Sequence, residues 1–170
     1  WQKELDKFAP SLTYLVYRGG DRASLRELFS QYDIILSTYG VVSNDIEELS
    51  QITFEYAILD ESQAIKNPLS KRYKAVRLLQ ANHRLALTGT PIENNTFDLY
   101  AQMNFLNPGI FGSMDHFRQN FANAIDKQRD ERSTHLLRDM TQPFLLRRTK
   151  KQVATELPDK TETVLYCEMK

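Results

Sequence analysis

Two short apolar runs, each closing on a polar cluster, constrain the fold of this chain more than any other feature. Tyr56-Ala57-Ile58-Leu59 runs into Asp60-Glu61-Ser62-Gln63, and Leu85-Ala86-Leu87 runs into Thr88-Gly89-Thr90-Pro91. Runs of this length read as buried strands that deliver polar residues at their ends. A strand that surfaces at adjacent carboxylates is expected at the C-terminal edge of a parallel α/β sheet, where ligands of such sheets bind.

The residue types at these tips suit phosphate chemistry. Asp60 could hold Mg²⁺ through water, and Glu61 could orient or deprotonate an attacking water. An isolated Asp-Glu pair reads first as an acidic turn at a strand end, and the second motif is what overturns that reading in favour of chemistry. There Gly89 permits an unusual backbone and Pro91 can open a helix beginning near Asn95, so Thr88 and Thr90 are expected on a fixed turn.

The remaining pattern alternates strand and helix. Leu12 to Tyr17 and Asp33 to Ser37 read as strands around an amphipathic helix from Asp21 to Phe29, with Asp21 as its cap. A helix is expected from Val41 to before Gln51 and another over Ser70 to Gln80, with Tyr73, Val76 and Leu79 inward; Arg84 to Leu87 is the next strand. Tyr14, Tyr17, Phe54 and Tyr56 are expected as core aromatics. Such alternation implies parallel pairing. After Asn107-Pro108-Gly109 helical periodicity takes over, in Met114 to Phe121 and Asp126 to Met140, followed by a short helix over Thr149 to Glu156 and a strand over Thr161 to Glu168.

Taken in order, these motifs resemble the Swi/Snf-type ATPases, superfamily-two helicase-like motors that move along double-stranded DNA. Asp60-Glu61-Ser62-Gln63 resembles their Walker B segment, where alanine is commoner than Ser62. Leu85 to Asn94 resembles the motif coupling nucleotide state to DNA contact, and Ser37-Thr38-Tyr39-Gly40 an earlier DNA-facing motif. Phe144-Leu145-Leu146-Arg147-Arg148-Thr149-Lys150, then Leu157-Pro158-Asp159-Lys160, resembles the segment leading to the second motor lobe.

The resemblance implies an α/β fold: a partial RecA-like parallel sheet flanked by helices over residues 1–111, a helical protrusion over 112–143, and a brace or linker towards a second lobe over 144–170. It implies Asp60 as an indirect Mg²⁺ ligand, Glu61 as the base and Gln63 as a γ-phosphate sensor linked to Thr88 and Thr90 across Gly89. Ser37, Thr38 and Tyr39 are expected to donate to DNA phosphates, Lys66 to reach the backbone or brace its loop, and Arg147, Arg148 and Lys150 to act between lobes. The implied partners are duplex DNA, the second RecA-like lobe and a DNA-bound protein.

No G-x-x-x-x-G-K-[ST] loop and no Gly-Lys pair occur in the 170 residues. The main triphosphate cradle is therefore expected in a longer parent protein, with ATP and Mg²⁺ bound there and none held tightly by this fragment alone. Without the strand that carries the cradle, Arg84 to Leu87 becomes an exposed edge, and the isolated chain is expected to self-associate or be marginally stable.

Composition excludes some classes. The single cysteine, Cys167, rules out an internal disulfide framework and a cysteine-based zinc site, and His83, His116 and His135 lack metal-ligand spacing. No apolar run approaches the roughly 20 residues that span a bilayer. The 22 basic and 22 acidic residues cancel, so no global field draws DNA in. Charge is instead segregated: eight acids and no Lys or Arg lie between Arg26 and Lys66, whereas Arg147-Arg148-Thr149-Lys150-Lys151 is strongly basic. A cytoplasmic place in a bacterium or a nuclear one in a eukaryote follows from the resemblance. Two other readings stand beside it: a non-catalytic protein-interaction module that has lost nucleotide binding, and an RNA-acting superfamily-two helicase.

Overall fold

A computed structural model of the chain describes residues 1–89, 96–148 and 150–153. Thr90, Cys167 and the strand expected over Thr161 to Glu168 lie outside the described residues. The N-terminal part alternates as expected: α1 (Gln2–Phe8), β1 (Tyr14–Val16), α2 (Arg22–Glu27), β2 (Ile34–Leu36), α3 (Tyr39–Asn44), α4 (Ile46–Leu49), β3 (Thr53–Leu59), α5 (Lys71–Leu78) and β4 (Gln80–Ala86). Then α6 (Thr96–Leu106) leads to α7 (Met114–Phe117), a π-helical stretch (Arg118–Lys127), α8 (Glu131–Thr141) and a last turn, α9 (Lys150–Val153). Among the described residues no helix is long and apolar enough to cross a membrane.

The strands are parallel and helix-flanked, arranged as two pairs, β1 with β2 and β3 with β4. Asp33 fastens the start of the first pair, accepting from the Thr13 N–H at 2.7 Å and the Thr13 hydroxyl at 2.8 Å. These bonds, the backbone one first, hold its carboxyl below the usual carboxylate range. In the second pair Ala57 and Leu59 are buried, while Tyr56 and Ile58 point to the opposite face at 58% and 54% exposure. Tyr56 is thus not the core aromatic expected from sequence. The period-two alternation of β3 sends it outward, where its ring lies 4.8 Å from that of His83. Leu85, opposite Ile58 in register, shares the exposed face, and among the described residues β4 pairs only with β3.

Two apolar cores meet at α6. Ala101 and Phe105 join Tyr17, Leu59, Ile65, Tyr73 and Val76 in the first core. Tyr100 and Met103 join Phe111, Phe117, Phe121 and Leu137 in the second. The inward residues expected over Ser70 to Gln80 are indeed buried: Tyr73 and Val76 on α5, and Leu79 just past its end. Asp21 differs from expectation. It stands before α2 without a backbone cap bond and instead accepts from the Ser24 hydroxyl at 2.9 Å.

The helix expected over Val41 to Gln51 is broken at Asp45, which is buried and serves as an anchor. Its carboxylate accepts from the Tyr17 hydroxyl at 2.7 Å and from Arg22 at 2.9 Å, and Arg26 donates to the same Tyr17 oxygen at 2.8 Å. The Arg22 hydrogen bond, helped by that of Tyr17 and opposed by burial, holds the Asp45 carboxyl down at about 2. A depressed folded-state value stabilises at higher pH: the contribution is complete above the roughly 3.9 of an unfolded aspartate and is lost as pH falls through the folded value. Asp45→Asn is expected to lower stability at pH 6 by about 1–3 kcal/mol, because a charge-assisted network is left incomplete. The gap between urea melts of the two proteins should narrow as pH falls from about 4 and close only below about pH 2, and a gap independent of pH would refute the assignment.

Candidate functional site

Ser62 is the buried pin around which the site is built. It is fully buried, its N–H donates to the Leu87 carbonyl at 2.8 Å, and its hydroxyl donates to Gln102 Oε1 on α6 at 3.1 Å. The ladder continues beside it, with Leu87 N–H to Leu59 carbonyl at 2.8 Å. These bonds bring the acidic tip of β3 against the exit of β4, so Asp60, Glu61, Gln63, Thr88 and Gly89 lie together. Alanine at position 62 could not make the side-chain bond to Gln102.

At the tip, Asp60 Oδ1 accepts the Glu61 N–H at 2.9 Å and Oδ2 accepts the Trp1 indole N–H at 2.7 Å. Glu61 has φ 48 and ψ 52, a left-handed conformation uncommon for a residue bearing a side chain. Gln63 bridges both motifs: its amide N–H donates to Glu61 Oε2 at 2.7 Å, and its Oε1 accepts from the Thr88 hydroxyl at 2.9 Å. Glutamine suits this place because one amide both donates and accepts.

In the Ser37-Thr38-Tyr39 group, expected from sequence to donate to DNA phosphates, two hydroxyls are engaged within the chain. The Ser37 hydroxyl donates to the Tyr17 carbonyl at 3.2 Å, and the Tyr39 hydroxyl donates to the Asp60 carbonyl at 2.8 Å. One bond ties the turn to the exit of β1 and the other ties it to the acidic tip of β3. Thr38 differs: its oxygen accepts the Val41 N–H at 3.3 Å as the cap of α3, which leaves its proton available. Burial first, then the Asp60 and Glu61 carboxylates, push the Tyr39 phenol up to about 12.

Two clefts flank these groups. One, of about 470 Å³, is lined by Trp1, Lys3, Arg18, Ser37 and Thr38 at the exits of β1 and β2. The other, of about 360 Å³, is lined by Asp60, Thr88, Gly89 and Gln102 on one side and Phe144, Leu145 and Leu146 on the other. The segment after the helical region thus returns to the acidic tip, a contact that the sequence did not disclose. Arg147 and Arg148 follow it, exposed, and Lys150 begins α9. Lys66 is exposed past the acidic turn; burial raises the Asp98 carboxyl and the Lys66 charge partly offsets that. Arg18 supplies a cation in the first cleft that sequence reasoning did not single out.

Comparison with known proteins gives one consistent picture. The family model described as SNF2-related domain matches residues 1–170. TATA-binding protein-associated factor MOT1 of Saccharomyces cerevisiae is 40% identical over 182 residues, covering 99% of this chain and 10% of its own length. Chromatin-remodeling ATPase INO80 of Candida albicans is 37% identical over 187 residues, covering 99% of this chain and 14% of its own. Among solved structures, the Sulfolobus solfataricus SWI2/SNF2 ATPase core in complex with dsDNA superposes with a TM-score of 0.83 at 45% identity, over 91% of this chain and 32% of that one. The chain therefore spans about a tenth of MOT1 and a third of the archaeal core.

Proposed function

The chain belongs to the SNF2-related domain family, and from that membership we propose that it forms part of the first RecA-like lobe of an ATP-driven motor that tracks along duplex DNA and remodels proteins bound to it. The observation that carries the reading is the hydrogen-bonded line from Glu61 through Gln63 to Thr88, which joins the acidic tip to the second motif. The relatives supply the setting: a SWI2/SNF2 core bound to dsDNA, a chromatin-remodeling ATPase and a factor associated with the TATA-binding protein.

The donor set at the tip fits Mg²⁺. That ion keeps several waters and takes one or two carboxylates plus substrate phosphate oxygens, rather than a cage of protein ligands. Asp60 offers such a carboxylate, exposed at a strand end, and no group of three or more His, Cys, Asp or Glu converges among the described residues. Asp60 would hold Mg²⁺ through water, and the ion would neutralise charge on the phosphate oxygens of bound ATP. Glu61 Oε1, the oxygen that Gln63 does not engage, would orient the attacking water and take its proton. Gln63 keeps Glu61 in place and passes a change there to Thr88 through a single bond. Thr38, with its free proton, and Arg18 would meet the sugar-phosphate backbone without reading sequence.

Triphosphate binding and turnover would belong to the parent, since these 170 residues carry no phosphate loop, and this chain alone is expected to turn over no ATP. Arg147, Arg148 and Lys150 would face the second lobe, and the substrate would be a protein already seated on duplex DNA. The parent would work in the nucleus of a eukaryote or the cytoplasm of a bacterium. The test is third-strand displacement. The complete parent with ATP is expected to strip a third strand from a triplex while the two duplex strands stay paired. Separation of the duplex strands, or a preference for RNA, would contradict the reading.

A further inference from the structure

Tyr39 lies where two sites meet. Its ring packs against the first core, and its hydroxyl donates to the carbonyl of Asp60 at 2.8 Å across 21 residues of sequence. The N–H at the other end of the same peptide unit, that of Glu61, donates to Asp60 Oδ1 at 2.9 Å. The peptide between Asp60 and Glu61 is thus pinned at both its oxygen and its nitrogen. That pinning coincides with the left-handed φ of 48 at Glu61, which a side chain disfavours. Rotation of the peptide would take Glu61 out of the left-handed region and carry its N–H away from the Asp60 carboxylate. A flipped peptide would lose both bonds, and the Tyr39 hydroxyl holds the arrangement seen here.

The other end of the connection is the Ser37–Gly40 turn. Ser37 and Thr38 are exposed and line the cleft that also holds Lys3 and Arg18, groups suited to a phosphodiester backbone. We propose that Tyr39 is a positioning residue that ties this turn to the Asp60–Glu61 peptide, so that strand binding at the turn and Mg-nucleotide binding at the carboxylates are coupled through one hydrogen bond. The inference rests on the motor reading above and deepens it. Occupancy of the turn shifts Tyr39, and Tyr39 sets the orientation of the peptide on which both carboxylates hang. By thermodynamic reciprocity, nucleotide must change duplex affinity by the same factor as duplex changes nucleotide affinity.

The experiment uses the complete parent and its Tyr39→Phe variant, in which the ring packing is kept and only the hydroxyl is removed. Duplex affinity is read by fluorescence anisotropy with and without a Mg-bound non-hydrolysable ATP analogue, and analogue affinity by calorimetry with and without duplex. A melting temperature close to that of the wild type confirms that the variant is folded. The expected result is duplex affinity unchanged in the absence of nucleotide, with the coupling factor reduced about fivefold to tenfold, the size of one hydrogen bond. An unchanged coupling factor would overturn the proposal. So would weakened duplex binding with coupling intact, which would make Tyr39 a direct strand contact. A wild-type parent that shows no coupling at all would fail differently, overturning the motor reading itself and this inference with it.

Discussion

Glu61→Gln in the complete parent lowers ATP turnover by about two to four orders of magnitude, the range of a lost general base, while Mg-ATP affinity changes little. The size of the effect follows from how little else the substitution disturbs. Glutamine has the same length, its side-chain oxygen can still accept the Gln63 amide N–H, and the left-handed backbone at 61 depends on the Asp60 and Ser62 contacts rather than on the carboxylate. What is removed is the carboxylate charge, and with it the capacity of the second oxygen to accept from the water and take its proton. Single-turnover kinetics beside equilibrium nucleotide binding separate the two effects. Near-normal turnover would take Glu61 out of its role, and lost nucleotide binding would make its charge structural.

Phe117→Ala destabilises the chain by about 3–5 kcal/mol, the range for an aromatic removed from a core that cannot collapse onto the gap. Phe117 is fully buried, and its ring lies 4.9 Å from Tyr100, 5.1 Å from Phe111, 5.5 Å from Phe121 and 6.0 Å from Phe97. Every aromatic of the second core touches it, so one truncation removes the centre of the cluster. The damage should be local, because the second core meets the first only along α6. Hydrogen exchange is expected to show lost protection over residues 114–141, with β3 and β4 still protected. A loss below about 1 kcal/mol would mean that the helices after α6 are held by something other than this cluster.

What could be read from sequence was local, and what could not was not. The helical period over Ser70 to Gln80 placed Tyr73, Val76 and Leu79 inward, and the apolar run before Asp60 marked β3. The start of β4 was missed because Gln80-Ala81-Asn82-His83 is polar and continues the preceding helical pattern; its strand form comes from pairing with Thr53–Leu59. The π-helical stretch Arg118–Lys127 was read as helix ending at Phe121, since one added residue per turn leaves short apolar spacing almost unchanged.

At the site, the acidic tip and the exit of β4 at Thr88 were legible because each motif is contiguous. The bonds that join them to the rest span 21 residues for Tyr39 to Asp60, 40 for Ser62 to Gln102 and 59 for Trp1 to Asp60. No local pattern reports such pairs. Tyr39 shows the consequence: its residue type correctly announced a hydrogen-bond donor, while only the fold revealed that the acceptor is the Asp60 carbonyl.

Steady-state ATP turnover of the complete parent, with and without duplex DNA and with Glu61→Gln as control, tests the central claim most directly. The predicted result is strong stimulation by duplex that vanishes in the variant. A folded parent that turns over no ATP under any nucleic-acid condition would contradict it, and would leave Asp60 and Glu61 as the acidic end of a protein-binding module.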